Sequence, residues 1–190
     1  MWEALKNFFG VAWDFVEAIV FALVIFFVCY LFLFQPNQVK GHSMEPTYHD
    51  GEYILTDKIS YRMSIPQRGD VVVFRSPKNA AVDFIKRIIA LPGEQIKIAG
   101  GKVFLNGKQL SETDYLDPSV YTGPQSFLGE NHEIMIPAGY YFVMGDNRAN
   151  SSDSRDFGLV TPSEFVGKVF FRYWPLSRLG RTEGINYQLF

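Results

Sequence analysis

With 190 residues, the chain has room for one domain of ordinary size, or for one domain and a short extra segment. The composition is apolar and aromatic, with 18 Phe, and the formal net charge of -2 comes without any run of Lys or Arg, which argues against nucleic acid as the main partner. A single cysteine, Cys29, excludes an internal disulfide and a cysteine-based zinc site.

The N-terminal region sets the class. Ala18 to Phe34 reads AIVFALVIFFVCYLFLF without a charge. With Phe15 and Val16 the stretch reaches about 20 residues, enough to cross a hydrocarbon core of about 30 Å. A buried core helix would show a polar face, and this run has none. A cleavable signal peptide needs a basic start and a small-x-small site, whereas Gln35-Pro36-Asn37-Gln38 follows the run. The expectation is an uncleaved single anchor over 15–34, after a short segment 1–14. Lys6 is offset by Glu3 and Asp14, and Lys40 lies past the other end, so charge does not decide orientation.

From about residue 35 the pattern is mainly β. Tyr53 to Thr56, Asp70 to Phe74, and Val82 to Leu91 are β-branched or aromatic runs bounded by Gly and Pro. Gln95 to Ile98 and Lys102 to Leu105 flank Ala99-Gly100-Gly101, a hairpin signal, and Asn106-Gly107 begins another tight turn. Tyr140 to Val143 and Val169 to Tyr173 complete the strand candidates. Short strands at this spacing predict an antiparallel β-sheet domain over 35–190, with a smaller β subdomain or insertion over roughly 99–138. Residues 111–130 carry few apolar runs and read as a long surface excursion.

Three segments could carry chemistry. Gly41-His42-Ser43-Met44-Glu45-Pro46-Thr47 brackets Ser43 between turn formers, although a serine there is usually only a turn residue. A nucleophilic serine needs a base within hydrogen-bond reach. His42 is adjacent to Ser43, and neighbouring side chains in an extended loop point apart; His49 and His132 sit in polar, loop-like contexts without a paired carboxylate signal. The Gly-x-Ser-x-Gly elbow and the Ser-x-x-Lys pair are both absent. On a strand of period two, Lys86 shares a face with Phe84, Ile88 and Ala90. Buried there it would lose its charge readily and accept a proton; on an edge it would reach out to water instead. The third segment, Gly145 to Arg155 (GDNRANSSDSR), is dense in hydrogen-bonding side chains. It does not fit a calcium loop, because Arg148, Ser151 and Phe157 fall at the third, sixth and twelfth positions from Asp146. It reads as a polar turn stitched by ion pairs.

Together these segments resemble the bacterial type I signal peptidases (leader peptidases). The anchor, the Ser43 box, Arg68-Gly69-Asp70-Val71-Val72-Val73-Phe74, Asp83-Phe84-Ile85-Lys86-Arg87-Ile88 through Leu91-Pro92-Gly93, and Gly145 to Arg155 occur in the family's order. The resemblance covers roughly residues 15–175. It implies a serine endopeptidase in which Ser43 attacks the scissile carbonyl and Lys86 is the general base. It implies that Ser151 hydrogen-bonds the catalytic lysine, and that Asp153 with Arg155, and Asp146 with Arg87, form ion pairs beside the site. Val39, Met44, Phe84 and Ile85 match pocket-wall positions. The backbone N–H of Ser43 would be one oxyanion donor; Gly41 lacks the hydroxyl that some relatives use as a second.

The resemblance further implies substrates that are secreted preproteins, cut after a small-x-small motif such as Ala-x-Ala. It implies a single-pass protein of the bacterial cytoplasmic membrane, its partners the signal peptide and the lipid bilayer, with the catalytic domain on the extracytoplasmic side. No cofactor or metal is called for. Lys rather than His at position 86 speaks against the endoplasmic-reticulum type, and the anchor against the soluble self-cleaving repressors. The alternative from another class is a catalytically inactive, membrane-tethered module that binds signal peptides.

Overall fold

The structure, a computed structural model, describes residues 2–182 together with 185, 187 and 189. It opens with a long helix, α1 (Trp2–Leu33), which begins well before the apolar run. Residues 2–14 hold no proline, and the lone Gly10 is tolerated, so nothing in them stops the helix. Within it, Phe9–Val28 is long and apolar enough to cross a membrane, and none of that window is buried. The helix gives way to a strand just before Pro36, which cannot donate to a helical ladder.

The strands follow in chain order: β1 (Phe34–Gln38), β2 (Tyr53–Asp57), β3 (Val71–Arg75), β4 (Asp83–Ala90), β5 (Gln95–Ala99) and β6 (Lys102–Leu105). After them come β7 (Lys108–Gln109), β8 (Glu133–Met135), β9 (Phe142–Met144), β10 (Phe165–Trp174) and β11 (Gly180–Arg181). Two one-turn helices, α2 (Ser60–Met63) and α3 (Ser154–Phe157), interrupt them. A seven-stranded sheet runs β1-β2-β10-β3-β4-β9, with β11 paired to β10. A four-stranded sheet runs β7-β6-β5-β8. Every ladder between these strands is antiparallel.

Both predicted tight turns have the required backbone. Gly100 and Gly101 sit at φ 55 and φ 75 between β5 and β6, and Asn106 and Gly107 at φ 51 and φ 78 between β6 and β7. Positive φ at both central residues is what a two-residue hairpin demands. The second sheet differs from the expected insertion at one edge. Its central strand β5 begins at Gln95, before the expected start at 99, because Ile96 and Ile98 turn into the same core as Val103 and Leu105.

Strand β3 explains how the large sheet is covered on both faces. Val71 and Val73 join a cluster with Val39, Met44, Tyr48 and Ile54. Val72 and Phe74 join another with Ile88, Tyr141 and Val143. Alternation along one strand therefore feeds two cores. The 111–130 segment is the expected surface excursion, without helix or strand, but three of its residues, Leu116, Thr122 and Leu128, are buried. Leu128 packs into the core with Ile89, Phe142 and Met144, and Thr122 is held by Arg148 from the loop after β9.

Candidate active site

The Ser43 turn is braced before it is reactive. Gly41 has φ 86, and its N–H donates to Asp50 Oδ1 at 2.6 Å. Val39 is tied on both sides, its N–H to the Glu52 carbonyl and its carbonyl to the Gly51 N–H. From the end of the large sheet, Arg172 and Arg178 each donate to the Thr47 carbonyl while pairing with the buried Glu52. From the other side Asn147 grips the nucleophile's own backbone. Its N–H donates to the Ser43 carbonyl at 3.0 Å, and its Nδ2 to the His42 carbonyl at 3.0 Å.

Lys86 comes from β4. Its register partner on β3 is Val72, and Phe84 stands opposite Phe74, so the apolar face expected from period two is present. It extends to Ile88 and no further, since an irregularity between Ile88 and Ala90 breaks the alternation. Lys86 is 3% exposed, with its ammonium 5.2 Å from the centre of the Phe84 ring. A hydrogen bond of 2.8 Å joins Nζ to Ser43 Oγ, and a second of 2.8 Å runs from Nζ to the Ile85 carbonyl. Burial pulls the Lys86 pKa down from 10.5 to about 8, against the opposing pull of Asp153 and Asp146. As an ammonium, Lys86 donates to Ser43. As an amine, held in place by the Ile85 carbonyl, it presents a lone pair to the Ser43 hydroxyl proton.

Both expected ion pairs form, and both are buried. Arg87 Nε and Nη2 donate to the two oxygens of Asp146 at 2.9 and 2.7 Å, and Thr47 Oγ1 donates to the same carboxylate at 2.6 Å. The carboxylate outweighs burial and holds the Arg87 pKa above its usual value. Arg155 Nε and Nη2 meet the two oxygens of Asp153 at 2.8 Å each, and Asp153 also accepts from the Gly145 N–H at 3.0 Å. These fork-like pairs fix the loop from Gly145 to Arg155 against β4 and β9.

Ser151 departs from its expected role. Its hydroxyl is buried without a hydrogen-bond partner, and the acceptors of Lys86 are Ser43 Oγ and the Ile85 carbonyl. Ser151 Oγ is packed against Gly145, in the space a β-carbon there would fill. The hydroxyl is beside the site, but turned onto the glycine.

An open cleft of about 800 Å³ runs past the pair, with Gln38, Val39, Phe84 and Ile85 beside Ser43 and Lys86. Three of the four expected wall residues therefore line it. Met44 is the exception: it is fully buried with Tyr48, Ile54 and Val169, because the residue after Ser43 in the turn points into the core. His42 turns its ring away onto Glu45, Nδ1 to Oε1 2.8 Å, and that carboxylate holds the imidazole pKa up. Sequence reasoning missed Gly145 and the Asn147 grip on Ser43. A glycine opening a polar loop directly after a strand was the available signal for the first.

A serine hydroxyl against a buried lysine, at the side of an open cleft in an antiparallel β domain, is the arrangement of a serine peptidase that uses lysine as its base. The family profile for signal peptidase, peptidase S26, matches residues 12–174, and the chain belongs to this family: it is a serine peptidase of the signal peptidase I type. Signal peptidase IB of Staphylococcus aureus (strain Mu50) is 35% identical over 175 residues, covering 86% of this chain and 90% of its own. Probable signal peptidase I-1 of Synechocystis sp. is 34% identical over 186 residues, covering 92% and 91%. A solved signal peptidase I from Enterococcus faecalis V583 is 32% identical and covers 55% of this chain and 97% of its own, with a TM-score of 0.45. The role implies substrates that bear signal peptides.

Proposed function

We propose that Ser43 and Lys86 are the catalytic dyad of this signal peptidase. The observation that carries the reading is the 2.8 Å contact between Lys86 Nζ and Ser43 Oγ, made by a lysine whose pKa burial lowers to about 8. Neutral Lys86 takes the Ser43 proton as Oγ attacks the scissile carbonyl. The ammonium then protonates the leaving amine, and the regenerated amine activates water against the acyl-enzyme. The Ser43 N–H is one donor to the oxyanion.

In the same reading α1 anchors the protein in the bacterial cytoplasmic membrane, and residues 35–190 form the catalytic domain on the extracytoplasmic side. The cleft beside Val39, Phe84 and Ile85 receives the small residues before the cut, so cleavage follows a small-x-small motif. An inactive tethered binding module is disfavoured. A binding surface gains nothing from a desolvated ammonium aimed at a serine.

The test is cleavage of a preprotein bearing an Ala-x-Ala site by the detergent-solubilised chain, beside Ser43→Ala and Lys86→Met. Product ending after the second Ala with wild type only, and none with either variant, is expected. Equal cleavage by Lys86→Met would overturn the dyad. Binding without cleavage by wild type would favour the tethered module.

A further inference from the structure

A second cavity, of about 710 Å³, adjoins the Ser43 turn. The turn divides its residues between the two depressions: His42 and Ser43 line the cleft, Glu45 and Pro46 the second cavity. The loop after β9 divides likewise, with Asn150 and Ser152 on the cleft and Asn147, Arg148 and Ala149 on the cavity. The turn that carries Ser43 therefore separates the two, with Ser43 on its cleft side.

The far wall of the cavity is apolar and comes from the 111–130 segment: Leu116, Val120, Tyr121 and Pro124. Tyr121 is 62% exposed, yet it is held. Its ring lies over Gly101, where an added β-carbon would come within 2.2 Å of it, and the neighbouring Thr122 N–H donates to the Gly101 carbonyl at 2.9 Å. The segment is pinned to the loop that grips Ser43. Arg148 Nη1 donates to Thr122 Oγ1 at 2.8 Å, Arg155 Nη1 to the Gly123 carbonyl at 3.0 Å, and Gln125 Nε2 to the Ser151 carbonyl at 3.0 Å. The wall is thus fixed relative to the nucleophile. A preformed exposed aromatic loses little entropy when a ligand packs on it.

We infer that this cavity receives the segment of the substrate that immediately follows the scissile bond, and that it favours an apolar or aromatic side chain there. The inference rests on the proposed role of Ser43, with the residues before the cut held in the cleft. An extended chain advances about 3.3–3.6 Å per residue. A chain that enters along the cleft and crosses Ser43 leaves over Pro46 and Asn147 within its next few residues, and the apolar wall meets it there. The charged groups lining the cavity already have partners: Arg148, Arg155 and Asp146 are held in buried pairs, Glu45 by His42, and Asp117 by the N–H and hydroxyl of Ser119, so the apolar wall is what remains to select an occupant.

The test uses two preproteins identical through the Ala-x-Ala site. One carries Leu and Phe among the four residues after the cut; the other carries only Gly and Ser there. Wild type is expected to prefer the first by about 5- to 20-fold in kcat/KM, mostly through KM, as partial burial of one apolar side chain in an open cavity would give. Tyr121→Ala and Val120→Asp should each bring that ratio towards one, and Tyr121→Phe should keep it, with Tm showing that all three fold. A wild-type ratio of one, or a ratio retained in both Tyr121→Ala and Val120→Asp, overturns the cavity as a subsite while leaving the dyad standing. Failure of wild type to cut either preprotein overturns the dyad reading, and this inference with it.

Discussion

Ser151 Oγ lies 2.2 Å from the point where a β-carbon on Gly145 would stand, and the Ser43 carbonyl lies 2.4 Å from the same point. One missing side chain thus lets the polar loop close on the nucleophile's backbone. Gly145 is not at a positive φ, so its requirement is one of space alone.

Gly145→Ala should therefore lower kcat/KM by roughly 10- to 100-fold, because a displacement of well under 1 Å at Ser43 spoils the attack geometry. Gly145→Ala combined with Ser151→Ala removes only the Oγ overlap and leaves the Ser151 β-carbon at 2.5 Å and the Ser43 carbonyl at 2.4 Å, so it should recover little activity. Steady-state kinetics on one preprotein, with Tm as the control, checks both. Full activity in the single variant would show that the loop gives way freely.

Activity should rise with pH through about 8. The reactive form of Lys86 is the amine, and burial brings its pKa to about 8. The pH profile of kcat/KM reports the free enzyme, so its rising limb should sit near that value. A limb near 6 to 7 would point to a histidine base instead.

The same lysine should weaken the fold at neutral pH. Its folded pKa is lowered from 10.5 to about 8, so the folded state holds fewer protons than the unfolded state between those values. Stability contributed by this group then rises with pH across that window, and the cost is fully present below about 8. The shift corresponds to an upper bound of about 3 kcal/mol. Lys86→Met removes the charge but also two hydrogen bonds of Nζ, so it should stabilise by about 0–2 kcal/mol at pH 7. The gain should shrink towards pH 10.5. Denaturant unfolding of both forms at the two pH values decides it.

Breaking the Arg87–Asp146 pair on one side should be severe. Both side chains are almost fully excluded from solvent, and Asp146 also carries Thr47 of the Ser43 turn. Arg87→Met leaves a buried carboxylate without its partner and should cost about 3–5 kcal/mol. Removing both charges with Arg87→Met and Asp146→Leu should cost clearly less than the sum of the single changes. A double-mutant cycle on unfolding free energy measures that coupling.

Local pattern carried much of the structure. An apolar run without proline specifies a long helix, because helical propagation and lipid-like composition are both properties of neighbouring residues, although the window long and apolar enough to cross a membrane, Phe9–Val28, begins before the expected 15–34 and includes Asp14 and Glu17. Alternation placed Lys86 on the apolar face with Phe84, and the glycine pairs placed the hairpins of the second sheet. These are short-range rules, so they survive without knowledge of the fold. Only the tertiary structure could decide what loops do, since loops have no period. It turned Met44 inward while Ser43 faced the cleft, set Ser151 against Gly145 rather than on Lys86, and pinned the 111–130 segment with Arg148 and Arg155. Residues 43 positions apart meet at 2.8 Å because sheet register and two buried ion pairs hold the turn and the strand together. The types of residue needed for the chemistry are written in the chain. Their distance, and the burial that tunes the lysine, arise only when distant segments share one interior.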